Sequence, residues 1–218
     1  MADEPAQSSF EIQDKTISYK CPRFSVEETT YLNSAKELRK TYTLTVPSDV
    51  LIIIPRLQEK IFLLSAETPP YPKVQYLFPS GFLSPGIPLA DTALAILIES
   101  LGVTAQKFIY IGKFRPNRYI MFDAHVMVAD GLQRLKEKSD LLKDKILVKT
   151  EKEIADLLID RHLDDGLTLA AYTYYVTSQH YWTEVHQDPV TKKKVIKPGT
   201  SKTGTVKTLN RNSNPVTL

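Results

Sequence analysis

A single cysteine is all that this chain of 218 residues contains. Cys21 has no partner for an internal disulfide, so a disulfide-stapled scaffold is excluded and a reducing compartment is expected. Long apolar runs are missing too, and none approaches the ~20 residues that span a bilayer. The opening MADEPAQSSFEIQDK is acidic and polar, so neither a secretory signal nor a transit peptide is expected there. Together these absences predict an intracellular protein, cytoplasmic by default. Internal repeats, a GxGxxG loop, a phosphate-cradling P-loop and a Ser-His-Asp arrangement are all lacking. His180 and His186 stand six apart with no cysteine or acidic cluster at metal-site spacing, which argues against zinc.

What is present is ordinary globular usage, with 42% hydrophobic and 24% charged residues. The length suits one domain with a sizeable core plus appendages. The net charge of +3 is unevenly placed. Residues 188–218 carry Lys192, Lys193, Lys194, Lys197, Lys202, Lys207 and Arg211 against Asp188 alone, so the rest of the chain is net negative. This stretch is rich in Lys, Thr, Ser, Asn, Pro and Gly, and such a composition cannot bury enough apolar surface to offset its ordering entropy. A disordered basic tail over residues 186–218 is expected, as is a disordered start over residues 1–9. The seven cations are candidates for holding a polyanion such as RNA, DNA or an acidic protein face. They lack the interleaved aromatics of a base-stacking platform.

Between the two ends the chain reads as alternating strands and helices. Residues 10–19 and 24–32 read as strands with a turn at Cys21-Pro22, part of an extension over residues 10–40. Residues 36–46 end in an alternation, with Tyr42, Leu44 and Val46 facing the threonines at 41, 43 and 45, which predicts a half-buried strand. The run VLIII at 50–54 predicts a central strand, and 61–65 its hairpin partner. Pro69, Pro70 and Pro72 force an extended loop, and 74–78 is a short strand. Further strands are expected at 107–114, 119–128 and 145–149, with a turn at 115–118 and a loop or short helix at 133–145. Thr150 with Glu153 three residues on is a capping-box signature for a helix over 150–158, and a second helix is expected at 163–175. The aromatic cluster Tyr172, Tyr174, Tyr175, Tyr181 and Trp182 is expected either to pack on the sheet from a final helix or to form an exposed partner surface.

The stretch SGFLSPGIPLADTALAILIESLGV, residues 80–103, organises the middle of the chain. Pro85-Gly86 marks a turn, Pro88 suits a first helical turn, and Gly102 supplies a stop. Apolar residues recur at helical steps from Leu89 to Leu101, and Leu94, Leu97 and Ile98 are expected to pack on a sheet. The stretch resembles the box of the Nudix hydrolase superfamily: Gly, five residues, Glu, seven residues, then Arg-Glu-apolar-x-Glu-Glu-x-Gly-apolar. Gly81, Leu97, Gly102 and Val103 fall on its skeleton. Ile87 stands at the first Glu, Ala95 at the Arg, and Ile96 and Ser100 at two metal-binding Glu, so only Glu99 remains of the box acids.

The resemblance, closest to ADP-ribose-pyrophosphatase-type members, runs from about residue 41 to 182 and implies a Nudix-type α/β/α sandwich with a mixed sheet over 41–185. It also implies a Gln-Tyr-Arg near the end of the second hairpin strand, where this chain has about Ala66-Glu67-Thr68, and an acidic residue near Arg118 and Tyr119. Asp123 is a substitute candidate for that acid. Magnesium prefers carboxylates, waters and substrate phosphates, and Ile, Glu and Ser on one helix face do not provide such a set. No catalytic residue, metal or cofactor is therefore expected. The expected function is non-catalytic binding of a protein partner, a nucleotide or a ribonucleoprotein assembly. The alternative is an active, magnesium-dependent hydrolase of ADP-ribose-like nucleoside diphosphate derivatives.

Overall fold

VLIII has no polar side chain to send to water, so its strand must be covered on both faces. The computed structural model describes residues 10–67, 73–135 and 146–187, with side chains described as far as residue 178. In it Leu51 to Ile54 are at most 1% exposed. The termini, the loop with Pro69, Pro70 and Pro72, and the seven cations from Lys192 to Arg211 lie outside the described residues.

The elements in order are β1 (Glu11–Lys20), β2 (Ser25–Leu32), β3 (Leu38–Thr45), β4 (Val50–Leu57), β5 (Lys60–Ala66), β6 (Gln75–Leu77), β7 (Ser80–Phe82), α1 (Leu89–Leu101), β8 (Val103–Phe114), β9 (Ile120–Met121), β10 (Ala124–Arg134), β11 (Ile146–Thr150), α2 (Glu151–Ile159) and α3 (Gly166–Gln187). A mixed sheet runs β11-β5-β4-β10-β8, with β6 on β5 and β7 on β4. Its one parallel pair is β4 with β10, register Val50 to Ala124. A second sheet runs β1-β2-β3-β9.

Period-two alternation divides the large sheet's side chains between two cores. Leu51, Ile53, Met127 and Ala129 meet Ala93, Leu97 and Leu101 of α1. Ile52, Ile54, Val126 and Val128 meet Ile154 of α2 and Ala171, Tyr172 and Tyr175 of α3. The result is a three-layer α/β/α arrangement.

Several expectations need correction. On α1 the stripe facing the sheet is Ala93, Leu97 and Leu101, flanked by Leu89 and Ile96; Leu94 and Ile98 are half-buried outside it. Four-residue steps from Ala93 set that face, and 94 and 98 fall to one side. The strand expected at 119–128 is two elements. Met121 pairs with Thr45 in the small sheet, whereas Ala124 pairs with Val50 in the large one. The expected loop at 133 is still strand, because β8 starts at Val103 and offers partners as far as Arg134. The last helix starts at Gly166, after Asp165 accepts from the Thr168 N–H, and runs to Gln187. Tyr42 is exposed, since β3 lies in the small sheet, where Thr29 is the only buried residue of β1, β2 and β3.

Candidate functional site

The stretch 80–103 folds as one loop-helix unit on the edge of β4. Gly81 pairs with Leu51 and Phe82 with Val50. The loop that follows is pinned to the start of β4: Leu83 N–H donates to the Asp49 carbonyl at 2.9 Å, and the Ser48 hydroxyl donates to the Leu83 carbonyl. Helix α1 then ends at Gly102, whose φ of 65° is the left-handed conformation a C-cap needs, and its N–H returns to the Ile98 carbonyl.

Positions 96, 99 and 100 have different surroundings. Ile96 is half-buried, packs with the α1-side core and lies over Gly81. A Cβ at 81 would come to 3.0 Å from Ile96 Cδ1, so any larger residue there would press on the isoleucine. Ser100 Oγ donates back to the Ile96 carbonyl at 2.6 Å, which turns its hydroxyl to its own helix. Glu99 is exposed, and so is Ile87 at 51%. The cover on Ile96 thus comes from Gly81 and the α1-side core. Among the described residues no three His, Cys, Asp or Glu side chains come together to hold a metal ion.

A polar cluster forms on the same face of the sheet, at the end from which this loop leaves. Asp49 precedes β4 and Asp123 precedes β10, so the two acids sit at the starts of adjacent parallel strands. Asp49 Oδ1 accepts from the Asp123 N–H at 2.9 Å, and the Asp123 carbonyl accepts from the Val50 N–H at 3.1 Å. His125 Nε2 faces Asp49 Oδ2 at 3.4 Å, while its Nδ1 faces the Tyr110 hydroxyl at 3.2 Å. An ionised Asp49 only accepts, so this network assigns the proton to Nε2 and makes Nδ1 the acceptor from Tyr110. Burial pushes the Tyr110 phenol up from its ordinary value.

Asp123 belongs to a charge cluster. Lys113 Nζ reaches its Oδ2 at 2.6 Å and an Arg115 nitrogen its Oδ1 at 3.5 Å. The Lys113 hydrogen bond holds the Asp123 carboxyl below its ordinary value, and Asp123 in turn raises the Lys113 ammonium. A carboxylate so engaged is a poor general base. The arrangement offers a polar shelf with two cations, two acids and an imidazole, with the exposed Tyr110 beside it.

Sequence reasoning singled out Asp123 as a substitute acid but did not assign Asp49, Tyr110, Lys113, Arg115 or His125 to a site. The available signal was Asp49 directly before the central strand and the i, i+2 spacing of Asp123 and His125. Of the late aromatics, Tyr172 and Tyr175 are buried against the sheet, and Tyr174 is half-buried with its hydroxyl on the Lys113 carbonyl at 3.0 Å. The side chains of Tyr181 and Trp182 lie outside the described residues. No helix among the described residues is long and apolar enough to cross a membrane.

No protein-family model matches this chain, and no curated protein matches it. Among solved structures the chain is similar to an ADP compounds hydrolase, with a TM-score of 0.69 at 16% identity over 84% of this chain and 99% of that one. At that identity the likeness shows the fold alone: this chain has the Nudix-type α/β/α architecture that residues 80–103 implied.

Proposed function

We propose that this protein uses a hydrolase-type fold to bind rather than to cleave. The observation that carries the reading is Ile96 packed over Gly81, where the resemblance implies a metal-binding carboxylate. With Ser100 bonded to its own helix and Glu99 exposed, the residues present do not fit a magnesium site. The ligand surface we propose is the shelf of Lys113, Arg115, Asp123 and His125, on the α1 side of the sheet. The solved neighbour is an ADP compounds hydrolase, so ADP and ADP-ribose are the first ligands to try.

The test is calorimetry with ADP-ribose beside a hydrolysis assay in magnesium. The expected result is saturable binding, weakened by Lys113→Ala, with the ligand recovered intact. Magnesium-dependent cleavage that disappears in Glu99→Gln would overturn the non-catalytic reading. One observation favours the alternative, an active hydrolase: the Asp49–His125–Tyr110 chain has the order of a proton relay. Cleavage abolished by His125→Gln but not by Glu99→Gln would establish that reading instead.

We further propose that Lys192–Arg211 adds a polyanion contact to this body. Binding to a single-stranded RNA should then weaken steeply with salt and largely vanish when the chain is cut after Gln187. Equal binding by the shortened chain would refute the contact.

A further inference from the structure

On the opposite face of the sheet from α1, a cavity of about 530 Å³ opens between the end of β8 and the first turns of α3. That size lies within the few hundred to roughly 1,000 Å³ of small-molecule sites. Phe114, Tyr174, Leu167 and Ala170 form its apolar walls, and Arg115 and Asp165 also line it.

The aromatic wall is fixed before any ligand arrives. Gly112 has φ +146°, and a Cβ there would meet Tyr174 Cε1 at 2.9 Å, so the ring lies directly on the strand backbone. The Tyr174 hydroxyl is tied to the Lys113 carbonyl, and its ring packs on Phe114 with centroids 5.5 Å apart. Rigid aromatic walls cost little ordering on binding.

The two charges differ in sign and are engaged elsewhere only in part. Arg115 touches Asp123 at 3.5 Å, but Lys113 holds that carboxylate more closely at 2.6 Å, and a guanidinium has five N–H donors. Asp165 uses Oδ1 to cap the Thr168 N–H at 2.7 Å, which leaves its Oδ2 as a further acceptor. The lining therefore presents one cation and one anion beside an aromatic wall, and each is complementary to one end of a zwitterion.

We infer that this cavity binds a free α-amino acid with a large apolar side chain. Its carboxylate meets Arg115, its ammonium meets Asp165, and its side chain lies on Phe114 and Tyr174. A plain aromatic acid would satisfy Arg115 but set its charge against Asp165, and a plain amine would do the reverse. This site shares Arg115 with the shelf on the α1 side but does not rest on the function proposed for that shelf.

The test is calorimetry on the full chain with L-phenylalanine, phenethylamine and 3-phenylpropionate as probes. L-phenylalanine should bind with a dissociation constant on the order of 1 mM or tighter, and each single-charge analogue at least about tenfold more weakly. Arg115→Gln should weaken L-phenylalanine about tenfold while leaving phenethylamine unchanged. Asp165→Asn, which keeps a capping oxygen, should do the same while leaving 3-phenylpropionate unchanged or improved. Thr173→Trp, on the exposed rim, should block the cavity, and Glu99→Gln on the far face should have no effect. Absence of saturable L-phenylalanine binding, equal binding of the three probes, or binding untouched by Thr173→Trp would each overturn the inference.

Discussion

Ile96 and Gly81 meet at the point where helix α1 would turn chemistry toward a ligand. A branched alkyl group there gains from packing on the strand backbone and on the α1-side core. A carboxylate in its place would lose part of its water and would meet Gly81 and the apolar α1-side core. The double change Ile96→Glu with Ser100→Glu should therefore destabilise the fold by ~1–3 kcal/mol, the usual cost of a poorly compensated buried polar group. It should not create magnesium-dependent cleavage of ADP-ribose, because Ile87 and Ala95 still stand at two further box positions. Urea unfolding and chromatographic detection of AMP and ribose 5-phosphate check the two halves. A stability equal to that of the parent protein would mean that position 96 faces open water.

At the scale of the element, the connection from β11 to α2 illustrates a structure set by local chemistry. Thr150 Oγ1 accepts from the Glu153 N–H at 3.2 Å, and Glu153 accepts from the Thr150 N–H at 2.8 Å. Thr150→Ala should cost ~1 kcal/mol. The Thr150 N–H, with the Thr150 hydroxyl and Lys149, lowers the Glu153 carboxyl from an ordinary 4.5 to about 2. Its folded value is the lower one, so its stabilising contribution is complete above pH 4.5 and is lost as the pH falls toward 2. Urea midpoints of the parent and of Glu153→Gln should thus converge across that interval. This box was legible because both partners lie three residues apart. The VLIII strand was legible for a related reason, since composition alone demands cover on both faces. The break between Met121 and Ala124 was not, because the alternation runs through it and only pairing with different sheets reveals it. The shelf was equally hidden: Asp49 reaches the Asp123 N–H across 74 positions and His125 across 76. Loop closure over such distances leaves no periodic trace. Gly112 reads as an ordinary strand glycine until Tyr174 is seen on it.

For the molecule as a whole, the two sheets differ in how much holds them. Strand β4 is hydrogen-bonded to β10 along its length, to β7 at its start and to β5 at its end, and residues 50–55 are all buried. Opening it disrupts both cores at once, so its amides should exchange only on global unfolding. Strand β1 pairs on one side with β2, and all ten of its residues are exposed. It also carries irregularities between Ile12 and Asp14 and between Ile17 and Tyr19, where the ladder is interrupted. Peeling β1 away exposes little apolar surface that is not exposed already, so its opening free energy should be far below the global value. Hydrogen exchange followed by mass spectrometry on the dilute full-length protein should therefore show β1 exchanging first, β2 and β3 later, and β4 and β10 last. The small sheet ends in a short ladder, since only Leu44 and Thr45 pair with β9. Lys40 with Glu28 and Lys15 with Glu27 are exposed pairs that salt weakens, so raising the ionic strength should speed exchange in β1 and β2 while leaving β4 unchanged. Equal protection of β1 and β4 at every protein concentration would contradict this hierarchy. Protection of β1 that grows with concentration would instead mean that another chain covers its exposed face.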